Sequence, residues 1–289
     1  MRIVADKITF TYNRKSKFAT RALDEVSLEI AEGDFLGIIG HTGSGKSTFI
    51  QHLNGLIPVE SGRLTVGETD LSAGVKKNKK QLKNLRSRVG MVFQYPEYQL
   101  FEQTVFDDVA FGYKNFFPEA DKEEIKAAVL GALDLVGLDR SVLNRSPFDL
   151  SGGQKRRVAI AGVIVTKPEI LILDEPVAGL DPLGKNELMA LLHRLHKTSC
   201  KTIIIVSHDM DEVADNCNKV AVFSEGKIIK VGSPKEVFND YEGLTALRLD
   251  VPITEYIAMK LKEKGVYIDT DFSSEDFVKK LVDFYKNVK

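Results

Sequence analysis

Apolar residues alternate with polar ones near the start of the chain. Ile8, Phe10 and Tyr12 follow a period of two, and so do Val26, Leu28 and Ile30. That period predicts two half-buried strands. A turn at Glu32-Gly33-Asp34 leads into a continuous apolar run, Phe35–Ile39, which predicts a buried strand. The glycine-rich stretch from Gly40 precedes a helix with Phe49, Ile50 and Leu53 on one face. Gly62–Val66 with a turn at Gly67 predicts a hairpin arm, and the basic run Lys76–Lys80 an exposed loop. Val89–Phe93 is expected to be a short strand. Pro118–Gly137 is expected to be a helix, with Ile125, Val129, Ala132 and Val136 at helical spacing.

A further helix follows Ser151, carries Val158, Ile160 and Val163, and closes at Pro168. Ile170–Leu173 is apolar throughout, the pattern of a strand covered on both faces. Asp181-Pro182 supplies a cap and a first-turn proline for the next helix. Strand Thr202–Val206, a helix near Met210–Asn216 and a hairpin across Glu225-Gly226-Lys227 complete the alternation. The expected fold is α/β, a mostly parallel sheet flanked by helices. From Ser233 onward Lys, Asp and aromatics replace this pattern. Two amphipathic helices are expected there, Pro252–Lys264 stopped by Gly265, and Ser274–Val288. Ser273 with Asp276 resembles a capping box for the second, whose apolar face is Phe277, Leu281 and Tyr285.

Composition narrows the class. A chain of 289 residues with 43% hydrophobic and 28% charged residues can bury a core without staples. Forty Lys+Arg against forty-one Asp+Glu give a net charge of −1, which speaks against nucleic acid bound by bulk charge. Cys200 and Cys217 form neither a CxxC pair nor a zinc set and read as reduced thiols of a cytosolic protein. The apolar runs are strand-sized, and MRIVADK lacks the apolar core of a signal peptide. Any membrane role is expected to come through a partner.

The chemistry concentrates in three places. Gly40-His41-Thr42-Gly43-Ser44-Gly45-Lys46-Ser47 fits G-x-x-x-x-G-K-[ST] between a strand and a helix whose first turn holds Thr48. Glycines let such a loop turn its N–H groups onto phosphates. Lys46 would reach the β- and γ-phosphates and Ser47 would ligate Mg²⁺. Ile170–Leu173 followed by Asp174-Glu175 sets two acids at the carboxyl end of a strand. There Asp174 would hold Mg²⁺ through water and Glu175 would polarise the attacking water. Leu150-Ser151-Gly152-Gly153-Gln154 is a second anion-binding nest ahead of a helix. One site does not need two such nests, whereas two chains sharing sites do.

At this point the sequence resembles the ABC-transporter ATPases, whose LSGGQ motif closes over the partner subunit's ATP. The resemblance covers residues 1–235 and implies a P-loop cassette: a mostly parallel RecA-like sheet, an antiparallel β arm and a helical subdomain over about 95–165. Residues 236–289 would be a helical C-terminal extension serving dimerisation or packing on the cassette. Gln94 matches the Q-loop and would share Mg²⁺ with Ser47 and Asp174. Gly179-Leu180-Asp181 matches the D-loop, and His208 the switch histidine. An aromatic of the first strand region stacks on adenine in the family. Tyr12 falls there, with Phe18 as the alternative because Asn13–Thr20 resembles a loop insertion.

The segment after Gln94 resembles the energy-coupling factor (ECF) transporter ATPases more narrowly. It reads Tyr95-Pro96-Glu97-Tyr98-Gln99-Leu100-Phe101, then Thr104-Val105 and Asp108-Val109-Ala110-Phe111-Gly112. Glu175–Asp181 and Gln154–Gly162 are similar to the second of that family's two ATPase paralogues. The resemblance implies an ATP- and Mg²⁺-dependent translocase subunit energising uptake of vitamins or metal ions from the cytoplasmic side of the cell membrane. Expected partners are a second ATPase, a paralogue before a second copy, a transmembrane coupling subunit met by Tyr95, Pro96, Leu100 and Phe101, and interchangeable substrate-binding membrane subunits. Glu175, His208, Lys46 and Gln94 would be catalytic, with Ser151 and Gly153 meeting the partner's ATP. A conventional importer ATPase, a soluble ABC ATPase and a silent scaffolding subunit are the alternatives.

Overall fold

The computed structural model describes residues 1–76, 78–270, 272 and 274–287. The chain opens with β1 (Ile3–Tyr12), β2 (Thr20–Ile30), β3 (Phe35–Gly40) and α1 (Lys46–Leu53). It continues with β4 (Ser61–Val66), β5 (Thr69–Asp70), α2 (Lys79–Arg88), β6 (Val89–Val92), α3 (Val105–Phe116), α4 (Lys122–Val136) and α5 (Gly152–Ile164). After these come β7 (Ile170–Asp174), α6 (Pro182–Thr198), β8 (Thr202–Val206), α7 (Met210–Asn216), β9 (Lys219–Ser224) and β10 (Lys227–Gly232). The last part holds α8 (Pro234–Phe238), α9 (Tyr241–Ala246), α10 (Ile253–Glu263) and α11 (Ser274–Asn287).

Two sheets form. One has the order β2-β1-β4-β5, antiparallel throughout, and is the expected arm. The other has the order β10-β9-β3-β8-β7-β6 and is parallel except for the β9–β10 hairpin. Its central strands are apolar on both faces because each face covers a separate core. Phe35, Ile39, Leu171, Leu173, Ile203 and Ile205 enter a core shared with α3, α4, α5 and α6. Their neighbours Leu36, Ile38, Ile170, Ile172, Ile204 and Val206 enter a second core with α1 and the arm. This strict period of two pins the register, since a one-residue slip would exchange the two cores' side chains.

Three expectations shift. The basic run expected as a loop instead leads into α2, whose capping box joins Asn78 and Gln81. The helix expected from Pro118 starts at Lys122, because Asp121 and Glu124 form a capping box there; it ends at Gly137, with φ 69°, as read. The proposed Ser273 cap lies outside the described residues. The core also runs across position 235: Val237 and Phe238 are fully buried, and Leu244, Leu249 and Phe272 belong to the same cluster. On α11, Phe277 is buried while Tyr285 is 67% exposed.

Candidate functional site

The carboxyl ends of β3, β7 and β8 meet at one edge, and each delivers its motif there. After β3 the chain turns through Gly40, Gly43 and Gly45, all at positive φ. Two of these admit no side chain. A Cβ on Gly40 would sit 2.3 Å from the Phe223 carbonyl oxygen, and one on Gly45 would sit 2.4 Å from that of Ala22. The loop is braced from behind by the β9–β10 turn, where the Gly226 N–H donates to the Ser44 carbonyl. Lys46 is 8% exposed and its Nζ donates to the carbonyls of Gly40 and His41 at 2.7 and 3.0 Å. Burial pushes its pKa down, opposed by the charges of Glu175 and Asp174. Among the described residues the buried Ser44 hydroxyl has no partner, a polar atom turned inward. Thr42 and His41 lie at the loop's rim, where the His41 ring bonds the Thr42 carbonyl.

Thr48, in the first turn of α1, shares through its hydroxyl a 3.2 Å hydrogen bond with that of Tyr12. Tyr12 is 39% exposed and meets Phe10 edge-on at 4.8 Å. Phe18 is 82% exposed on the turn after β1. The structure thus ties Tyr12, and not Phe18, to the helix behind the loop.

Asp174 ends β7 almost buried. Burial raises its pKa, while a hydrogen bond from Ser47 and the charge of Lys46 oppose that rise. Glu175 follows with φ 51°, and its N–H donates to Val206 of the neighbouring strand. This left-handed turn swings the side chain to His208, whose Nδ1 donates to Glu175 Oε2 at 2.6 Å. Gln94 is exposed, two residues past the last β6–β7 pair, Val92 with Leu173, at the sheet edge where β7 delivers Asp174. Behind His208, Asp209 bonds Lys185 of α6 at 2.6 Å, and the buried Glu212 accepts from Ser207 at 2.7 Å. Burial pushes the Glu212 carboxyl up to about 7.

Ser151 caps α5 in a reciprocal box with Gln154, so the Gln154 amide oxygen is taken by the Ser151 N–H. Gly152 and Gly153 are exposed, with nothing within 4 Å of a would-be Cβ. That helix end presents bare N–H groups to whatever approaches. Asp181 caps α6 by accepting from Gly184 at 2.7 Å.

The segment after Gln94 differs from expectation. Pro96 is buried in a short helical turn, Pro96–Gln99, and Leu100 is 7% exposed inside the main core. Neither offers surface, because the turn packs against α5 and Leu100 joins the core beneath it. Tyr95, Tyr98, Phe101 and Phe111 are instead exposed at 40%, 84%, 56% and 46%. Phe101 and Phe111 stack edge-on at 4.9 Å. No local pattern marks Tyr98 and Phe111 as surface, since a residue's outward turn here depends on tertiary packing.

A family profile described as ABC transporter matches residues 23–178. An energy-coupling factor transporter ATP-binding protein, EcfA2, of Clostridium tetani is 46% identical over 289 residues, covering 99% of this chain and 98% of its own. The chain belongs to the ATP-binding proteins of energy-coupling factor transporters. The EcfA2 of Lacticaseibacillus paracasei is 48% identical over 269 residues, 93% of this chain and 92% of its own. Among solved structures, cbiO1 of Clostridium perfringens, described as part of the ABC transporter complex cbiONQ, superposes with a TM-score of 0.74 at 38% identity. It covers 89% of this chain and 98% of its own. The cassette MJ0796, solved as a dimer bound to ADP and Pi, gives 0.71 at 27% identity over 80% of this chain and 98% of its own. The ECF-type ATPase is thus an ATP-binding, ATP-hydrolysing importer subunit with the ABC cassette fold. Among the described residues no helix is long and apolar enough to cross a membrane.

Proposed function

We propose that ATP is cleaved at a composite site, between Gly40–Ser47 of this ATPase and Ser151, Gly152 and Gly153 of a second ATPase subunit. The observation that carries the reading is the Glu175–His208 hydrogen bond at the sheet edge that also holds Lys46, Ser47 and Asp174. Glu175 takes the proton of the attacking water, and His208 holds the Glu175 carboxylate in place for it. Lys46, satisfied by two loop carbonyls, turns to phosphate oxygens when they arrive, and the Ser44 hydroxyl finds its missing partner among them. Tyr12 supplies the face for adenine.

The oxygen set fits Mg²⁺. Ser47 and Asp174 already share a hydrogen bond, and Gln94 follows the strand that pairs with β7. Among the described residues no three His, Cys, Asp or Glu side chains gather in a metal cluster. One carboxylate, one hydroxyl and one amide are the sparse set Mg²⁺ takes when waters and substrate phosphates complete it. Bound there, Mg²⁺ would neutralise charge on the β- and γ-phosphates.

The reading extends to the membrane. Tyr95 with Tyr98, and Phe101 with Phe111, are two exposed aromatic pairs suited to an apolar helix of a transmembrane coupling subunit. The ATPase works at the cytoplasmic membrane face, paired with a paralogue, and energises interchangeable substrate-binding subunits for vitamins or metal ions. Residues 1–235 act as the cassette and 236–289 as an accessory unit. Affinity capture of the tagged chain from detergent-solubilised membranes, with mass spectrometry, tests this. A second ATPase and an integral coupling subunit are expected. Recovery of copies of this chain alone overturns the paralogue pairing, and recovery of a single permease with a soluble binding protein makes it a conventional importer.

A further inference from the structure

A buried arginine on one helix joins two loops of different duty to it. Arg156 stands in the second turn of α5, downstream of Ser151, and is 5% exposed. Its guanidinium makes four hydrogen bonds. Nε and Nη2 donate to Glu97 Oε2 and Oε1 at 3.1 and 3.0 Å, Nη1 to the Pro176 carbonyl at 3.1 Å, and Nη2 to the Ala178 carbonyl at 3.0 Å. Glu97 lies between Tyr95 and Tyr98 in the turn after Gln94. Pro176 and Ala178 lie between Glu175 and Asp181. A second contact closes the same triangle: a Cβ on Gly179 would stand 3.7 Å from the Tyr95 ring.

A forked, two-point pair is stiff, because a planar guanidinium fixes the carboxylate in plane as well as in distance. Such a pair contributes little net stability, since an apolar pair of similar volume fills the space without the cost of burying two charges. Its distinguishing property here is connection. A shift of Glu97 pulls on the helix that begins at Ser151 and on the backbone between Glu175 and Asp181 together.

We propose that Arg156 is a positioning residue that relays displacement of the Tyr95–Tyr98 turn to the signature helix and to the loop after Glu175. This inference rests on the reading that the segment after Gln94 docks on a membrane subunit. Arg156 touches no substrate; it acts through Glu97 on one side and through the Pro176 and Ala178 carbonyls on the other.

The test compares the ATPase rate of the purified membrane assembly with that of the ATPase subunits freed from it, using Mg-ATP as the probe. For the wild type the assembly is expected to hydrolyse faster than the freed subunits. Glu97→Met with Arg156→Met leaves no unpaired buried charge and is expected to keep the melting temperature, the KM for ATP and co-purification with the membrane subunits. The assembly-to-free ratio is expected to fall about fivefold, the scale of coupling between sites. Arg156→Lys keeps the charge but not the fork and is expected to lower the ratio likewise. Glu97→Gln carries the test if the double variant does not fold. An unchanged ratio in a folded variant overturns the relay. Loss of co-purification also overturns it, by making the pair part of the docking surface itself. A wild-type chain that brings down no membrane subunit sinks the docking reading beneath it.

Discussion

Glu175→Gln isolates the proton-accepting role of one carboxylate. Glu175 is 15% exposed at its side chain, holds φ 51° and lies 2.6 Å from His208. Gln has the same length and no branch at Cβ, so it keeps the left-handed turn at the same cost and opens no cavity. Its amide oxygen can still accept from His208 Nδ1. What it lacks is proton affinity. A positioned general base contributes about 10²–10⁴-fold, or about 3–5 kcal/mol of barrier. The assay is phosphate release by the assembled ATPase pair across a range of ATP concentrations, with nucleotide binding measured separately. The kcat is expected to fall about a hundredfold or more while KM stays within about twofold. A kcat within about threefold of wild type refutes the assignment. A raised KM at unchanged kcat would mean that Glu175 serves binding alone.

Gly45→Ala, which forces a Cβ to 2.4 Å from the Ala22 carbonyl oxygen at φ 104°, is expected to cost about 2 kcal/mol or more in a urea titration and to abolish ATP binding. Tyr12→Ala is expected to raise the KM for ATP about tenfold, and Tyr12→Phe to leave it within about twofold, because stacking needs the ring and not the hydroxyl. Leu100→Ala is expected to lower stability by about 2–5 kcal/mol, whereas Phe101→Ala leaves the melting temperature unchanged and weakens capture of the membrane subunits. Glu212, raised from 4.5 to about 7 by burial, holds its proton in the folded chain where the unfolded chain has lost it. Its contribution to stability is therefore present below about pH 4.5 and is lost as pH rises through about 7, a change on the order of 3 kcal/mol. Glu212→Gln is expected to flatten that slope in urea titrations at pH 5.5 and 8; an unchanged slope would remove Glu212 as its source.

Motifs that cradle phosphate are legible because only glycine survives their geometry; Gly40 and Gly45 have backbone oxygens where a Cβ would be. Strands β3, β7 and β8 are legible because both faces are buried, which confines polar residues to strand ends such as Asp174 and Thr202. Helix α2 is hard to read for the opposite reason: Leu85 is its one fully buried residue, and its lysines read as solvated loop. Its Asn78–Gln81 box was the available signal, as was Thr104 capping Asp107 ahead of α3. Leu100 and Phe101 are adjacent apolar residues with opposite fates, decided by how the Pro96–Gln99 turn meets the core, and no local pattern tells them apart. Arg156 and Arg157 are likewise indistinguishable in sequence. One reaches Glu97 and the loop after Glu175, the other the Val136 carbonyl and Glu187. Their partners come from distant points of the chain, so only the fold separates them.

The C-terminal unit is anchored on the first turn of α7. Helix α10 has Pro252 at its N-cap position and so no side-chain cap of its own, and the carboxylate of Asp211 accepts from its first N–H, Ile253, at 2.8 Å. Phe238 fills the cassette core and meets Phe272 edge-on at 5.7 Å. For protein engineering this makes position 235 a poor cut. A truncation there empties an aromatic-sized socket, and a tail grafted from another ATPase arrives without its acceptor. A working chimera has to carry the socket and Asp211 along with the tail, so the interchangeable part of this chain is larger than its change in composition suggests.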